Sequence, residues 1–196
     1  MQIARHILEN QFVRLAPIEE SHRADLAAAA LDLSASDPSL RKVWRAWVAD
    51  ADAWNGVFAE QMQKERDGSW MHFTVFAGDR IVGQTCFLEM RAAHDGVEIG
   101  GTWYAPNVQG GKVNPACKLL MLSHAFASGA ERVELKTDAL NEQSRRAILK
   151  LGAEFEGIHR RHMLRADGTM RDSAYFSIIR EEWPAVRIGL EARLAA

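Results

Sequence analysis

The segment from Val97 to Gly152 constrains this chain more than any other. It reads V-E-I-G-G-T-W-Y-A-P-N-V-Q-G-G-K-V-N-P-A-C-K-L-L-M-L and, further on, carries a second helical unit, N-E-Q-S-R-R-A-I-L-K-L-G. An apolar strand runs into a small-residue loop, and the loop opens a helix whose first turn holds Asn114 and Pro115. Such a start leaves the first backbone N–H groups of the helix without intrahelical acceptors, with the positive end of the helix dipole behind them. That junction is a cradle for an anion, and a pyrophosphate fits it. The loop is neither G-x-x-x-x-G-K-[ST] nor G-x-G-x-x-G, which sets it apart from two common nucleotide-binding loops.

The rest of the chain supplies a mixed α/β frame for this segment. Residues 12–15 read as a short strand before Pro17, and 19–33, rich in alanine, as a helix. Asp37-Pro38 signals a helix start, with one or two helices up to Arg66 and a stop at Asp67-Gly68. Residues 70–76 and 81–90 flank Ala77-Gly78-Asp79 as a hairpin, and 97–104 form the next strand. A helix over 114–128 ends at Gly129, a strand covers 132–137, and a helix over 142–151 stops at Gly152. Residues 155–165 and 170–179 flank Asp167-Gly168 as an antiparallel hairpin. The tail from Glu181 is helix-like but broken near Pro184. The expected architecture is a central, mostly antiparallel sheet of about seven strands flanked by helices.

With 196 residues, no repeat and no low-complexity linker, the chain reads as one domain over 1–196, with a core of about 10–183 and a tail over 184–196. A net charge of −2 and the absence of a basic run argue against nucleic-acid binding. No apolar stretch reaches the length of a membrane span, and the N-terminus lacks a signal-peptide core, so a cytoplasmic protein with no membrane partner is expected. Cys86 and Cys117 each lie in an apolar segment, as buried thiols do. The histidines include no H-E-x-x-H, and strand alternation sends His159 and His162 to opposite faces, so no metal is expected.

Several residues in the central segment stand out chemically. Alternation places Glu98 on the face opposite Val97 and Ile99, where a charge needs either a cleft or an arginine partner across the sheet. Gly100-Gly101 inside a strand marks a bulge or a close backbone approach, which would expose backbone groups of Thr102, Trp103 and Tyr104. The anion cradle comprises Gln109, Gly110, Gly111, Lys112, Val113 and Asn114, with Lys112 either adding charge or lying solvated. Asn141 occupies an N-cap position, and Ser144 lies three residues on. Trp44, Trp47, Trp54 and Trp70 gather in the first third, mostly as core.

At these residues the chain resembles the GNAT superfamily of N-acetyltransferases, in particular the branch of the ribosomal-protein N-terminal acetyltransferases. The resemblance rests on Glu98-Ile99-Gly100, Pro106, the loop from Gln109 to Asn114, and Asn141-x-x-Ser144 with Lys150 and Gly152. The opening F-V-R-L-A-P-I-E-E-S-H and the closing D-G-T-M-R-D-S-A-Y-F-S extend it over about residues 10–183. The family's loop glycines fall on Lys112 and Asn114, and its usual tyrosine acid falls on Ile148, which cannot donate a proton.

The resemblance implies acetyl-CoA as cosubstrate, its pyrophosphate on the loop and its thioester arm along Thr102, Trp103 and Tyr104. Glu98 would be the base, Asn141 would touch the cofactor arm, and Ser144 would meet the leaving thiolate unless it is a capping or surface serine. One or two of the tryptophans would line the acceptor pocket. The acceptor would be an amine on a small molecule or a protein N-terminus, and the oligomeric state is open, with a homodimer among the options. Two rivals stand beside this reading: a non-catalytic acyl-CoA-binding sensor or interaction module, and a transferase using another acyl-CoA.

Overall fold

The computed structural model describes residues 1–43, 47–165 and 167–196. Eight strands form one sheet: β1 (Leu8–Glu9), β2 (Arg14–Pro17), β3 (Trp70–Ala77), β4 (Arg80–Arg91), β5 (Gly96–Tyr104), β6 (Arg132–Asp138), β7 (Glu154–Leu164) and β8 (Met170–Ile179). Among the described residues six α-helices flank it: α1 (Arg23–Ser36), α2 (Leu40–Val43), α3 (Ala51–Arg66), α4 (Val113–Ala127), α5 (Glu142–Leu151) and α6 (Trp183–Ala195). The spatial order is β1-β2-β3-β4-β5-β6-β8-β7. Every pairing is antiparallel except that of β5 with β6. The sheet therefore carries one strand more than expected, because Leu8–Glu9 pairs with β2.

Alternation along the strands divides the core in two. Val97, Ile99, Val133, Leu135, Phe176 and Ile178 turn to one face, where Cys117, Met121, Leu122 and Ala125 of α4 cover them. On the other face Leu26 and Ala30 of α1, Trp54 and Phe58 of α3, and Trp103 of β5 form a second cluster. Trp54 is fully buried and donates from Nε1 to the Arg23 carbonyl at 3.2 Å. Trp70 is half-buried, stacked on His72 with Lys64 Nζ 3.9 Å over its ring. Trp47 precedes α3 rather than lying in a helix, with the Arg41 guanidinium 5.1 Å from its ring centroid. Trp44 lies outside the described residues.

Two expectations fail for identifiable reasons. The C-terminal segment is not broken at Pro184. It forms one helix, α6, with the proline in its first turn, where a missing N–H costs nothing. Val186, Leu190 and Leu194 of α6 join the α4 core, so the segment is part of the fold and not a tail. Nor do His159 and His162 face opposite sides. A register shift between His159 and Met163, with Arg161 at φ +50°, rephases β7. Both rings then meet Tyr175: His159 stacks on it at 3.9 Å, and His162 Nε2 lies 3.2 Å from its hydroxyl. Among the described residues no group of three or more His, Cys, Asp or Glu side chains is placed to hold a metal ion.

Candidate active site

The parallel pair β5–β6 is held for only three positions, Gly96, Val97 and Glu98 against Arg132, Val133 and Glu134. Both strands continue, β5 to Tyr104 and β6 to Asp138, so they part beyond Glu98 and leave a wedge between them. The glycine pair predicted to bulge lies at the start of the divergence. Register against β4 slips between Gln84 and Cys86, and Gly101 adopts φ +56°. A Cβ at Gly101 would stand 2.7 Å from Cys86 Sγ, and one at Gly83 on the partner strand only 2.2 Å from the Trp103 carbonyl oxygen. The strands thus approach closely enough at the bulge to require glycine from both sides.

Gln109, Gly110, Gly111 and Lys112 are exposed in the loop that follows, and α4 starts at Val113. The first bond of that helix runs from Ala116 N–H to the Lys112 carbonyl at 3.0 Å. The amides of Val113 and Asn114 precede it, and Pro115 has none, which is the geometry of an anion cradle. Gln109 braces the loop, donating to the Tyr104 carbonyl at 2.9 Å and accepting from Gln143 of α5 at 3.3 Å. The Tyr104 hydroxyl donates to Asn114 Oδ1 at 3.2 Å. Lys112 is an exposed loop lysine with a partner that neither sequence reading named. Its ammonium turns back and donates to the Leu194 carbonyl at 2.9 Å, capping the last turn of α6. The residue is exposed, but its ammonium is tied to α6 instead of standing free.

Glu98 is buried and pairs with Lys136 Nζ of β6 at 2.9 Å. The partner is a lysine across the sheet, where an arginine was one of the two expectations. Burial pushes the Glu98 carboxyl above its ordinary range, and the Lys136 charge opposes that shift. Asn141 caps α5 by accepting from the Ser144 N–H at 2.9 Å. Ser144 is half-buried in the first turn, which the Gln143–Gln109 contact holds against the loop. Ile148 and Leu151 of α5 are buried, and Ala147 is exposed.

Sequence reasoning missed three charged groups here. Lys118 of α4 is buried beneath the bulge and donates to Thr102 Oγ1 at 2.8 Å, its amine pulled down to about 8 by burial. Its signal is a lone charge inside the apolar run A-C-K-L-L-M-L. Lys136 and Asp138 alternate with buried Leu135 and Thr137 along β6, a period-two pattern that marks a polar face. Asp138 forms a bidentate pair with Arg165, at 2.6 and 3.0 Å.

Comparison with known proteins agrees with this geometry. Residues 13–154 match the family described as the acetyltransferase (GNAT) domain. No curated protein matches the chain in sequence. Among solved structures, a GCN5-related N-acetyltransferase from Brucella melitensis is 27% identical with a TM-score of 0.86, over 97% of this chain and 86% of that one. RimJ of Mycobacterium smegmatis, in complex with CoA-disulfide, is 24% identical with a TM-score of 0.75, over 92% and 90%. RimL, described as the ribosomal L7/L12 alpha-N-protein acetyltransferase in complex with coenzyme A, is 18% identical with a TM-score of 0.73, over 88% and 97%. At those identities RimJ and RimL show the fold alone. The family match covers most of the chain, and on that ground the protein belongs to the GNAT acetyltransferase family.

Proposed function

We infer that the protein is an acetyl-CoA-dependent N-acetyltransferase, moving an acetyl group to a primary amine by direct attack in a ternary complex. The observation that carries this reading is the wedge between β5 and β6, with an anion cradle at its mouth and a buried carboxylate at its root. A pantetheine arm laid in the wedge would find the backbone groups of Thr102, Trp103 and Tyr104. The amides from Gly110 to Asn114 would hold the pyrophosphate, with Gln109 bracing them and Asn141 beside the arm.

Acetyl transfer from a thioester needs a neutral amine near the carbonyl and hydrogen-bond donors around the carbonyl oxygen. Glu98, raised by burial, accepts the amine proton directly or through water. The nitrogen attacks the carbonyl carbon, the C–S bond breaks, and Ser144 or water donates to the departing sulfur. The acceptor is an amine on a small molecule or a protein N-terminus. The chain acts as a single domain over 1–196 in the cytoplasm. Among the described residues no helix is long and apolar enough to cross a membrane.

The test is thiol release from acetyl-CoA in the presence of a panel of amines, with the melting temperature followed as acetyl-CoA is added. Turnover with at least one amine, together with a thermal shift, is expected. A thermal shift without any turnover would favour the rival acyl-CoA-binding module, and turnover only with succinyl-CoA or another donor would change the acyl group.

A further inference from the structure

The face of the sheet opposite α4 carries a row of charges beside the wedge. Alternation puts Glu98 of β5, Glu134, Lys136 and Asp138 of β6, and Arg171, Ser173 and Tyr175 of β8 on this side. Almost every charge in the row is matched. Glu98 pairs with Lys136, Asp138 with Arg165, and Glu134 with Arg91 and Arg132. Arg171 is the exception. Its Nε is buried without a hydrogen-bond partner, and among the described residues its guanidinium forms no hydrogen bond or ion pair. Leaving a buried charged donor unsatisfied is costly, and proteins seldom retain one without a use for it.

The location of Arg171 points to that use. On β8 it stands in line with Tyr175, which pairs with Lys136, and Ser173, which pairs with Asp138, so it continues the face on which Lys136 holds the candidate base Glu98. Asp138 does not hydrogen-bond it: the carboxylate oxygens accept from Arg165 and from the Leu140 N–H. The anion cradle at α4 lies on the other face of the sheet, so the pyrophosphate of a bound coenzyme is not the missing partner.

Building on the acetyl-transfer reading, we propose that Arg171 selects the acceptor, binding a carboxylate that the acceptor carries close to its reacting amine. A guanidinium presents a planar fork of donors that matches a carboxylate in two parallel hydrogen bonds. With that group docked on Arg171, the amine of the same molecule reaches toward Glu98. A free amino acid and a peptide with an acidic residue near its N-terminus share this chemistry.

Matched acceptors test it: free amino acids against their carboxamides, and peptides starting with aspartate or glutamate against the same peptides with asparagine or glutamine. The readout is the ratio of kcat/KM within each pair, which cancels any general loss of folded enzyme. The native protein should prefer the acid member of at least one pair by about 10- to 100-fold, the range of a hydrogen bond between charged groups. Arg171→Met should bring that ratio close to one, and Arg171→Lys should restore part of it. The pair that responds tells a free amino acid from a protein N-terminus.

A ratio near one in the native protein, or one that survives in Arg171→Met, would overturn the proposal. So would a loss of acetyl-CoA binding in that variant, which would place Arg171 at the coenzyme. Should no amine be acetylated, the transfer reading fails and binding decides on Arg171. N-acetylated acids, but not their amides, should then still raise the melting temperature of the coenzyme-A-loaded native protein and not that of Arg171→Met. Equal shifts for acid and amide would count against it.

Discussion

Glu98 shows what a single position can and cannot reveal in sequence. Its neighbours Val97 and Ile99 fix the face it occupies, but the ion pair with Lys136 depends on a strand that begins more than thirty residues later. Two opposed effects set its proton affinity: burial raises it, and the Lys136 ammonium lowers it. A base whose pKa lies above the ordinary carboxylate value of about 4.3 should give an acidic limb in the pH profile of kcat above that value. Removing the ammonium in Lys136→Met takes away the influence that favours ionised Glu98, so the limb should move to higher pH. Glu98→Gln should abolish the limb and lower kcat at pH 7 by on the order of 10²-fold. Initial rates of thiol release between pH 5 and 9 for the three proteins distinguish these outcomes, and a limb unmoved in both variants would assign the proton to another group.

Elements were legible where local chemistry sets them and illegible where a partner strand does. The helix over 142–151 has a cap at Asn141, a stop at Gly152 and a strong apolar stripe, and it forms between those bounds. The bulge at Gly100-Gly101 was readable because glycine has few other uses in a strand. Its counterpart Gly83, and the bulge that turns His159 and His162 together, depend on pairing that a single strand does not encode. The bulge gives a prediction at this scale. Gly101→Ala places a side chain on a backbone at φ +56° and against Cys86 Sγ. The left-handed conformation alone costs about 1–2 kcal/mol, and the contact adds to it. The variant should lose stability by roughly that amount or more in urea. By relaxing the bulge it should also raise KM for acetyl-CoA, whereas an unchanged KM would separate the bulge from the wedge.

For the molecule as a whole, the C-terminal helix and the candidate anion cradle are mechanically one unit. The family match stops at residue 154, yet α6 seals the α4 side of the core with Val186, Leu190 and Leu194. Gly152 is fitted to it as well, since a Cβ there would come within 3.1 Å of Val186. Lys112, at the N-cap of α4, is tied through its ammonium to the last turn of α6. Sequence alone hid this arrangement, because Pro184 reads as a breaker and the lysine reads as either a charge at the phosphates or a solvated side chain. The hydrogen bond of its ammonium instead joins residues 82 positions apart. Two variants separate the functions of this contact. Leu190→Ala empties a fully buried site and should cost about 2–5 kcal/mol of stability, read from urea unfolding. Lys112→Ala removes the tie but no core volume, so its stability should fall by about 1 kcal/mol. On the proposed reading, in which backbone amides hold the pyrophosphate, acetyl-CoA affinity should weaken only modestly in Lys112→Ala, because the lost ammonium is bonded to α6. A loss of affinity above about 100-fold, measured by calorimetry on folded protein, would show that the lysine swings onto the pyrophosphate when the coenzyme binds, and that α6 releases it to do so.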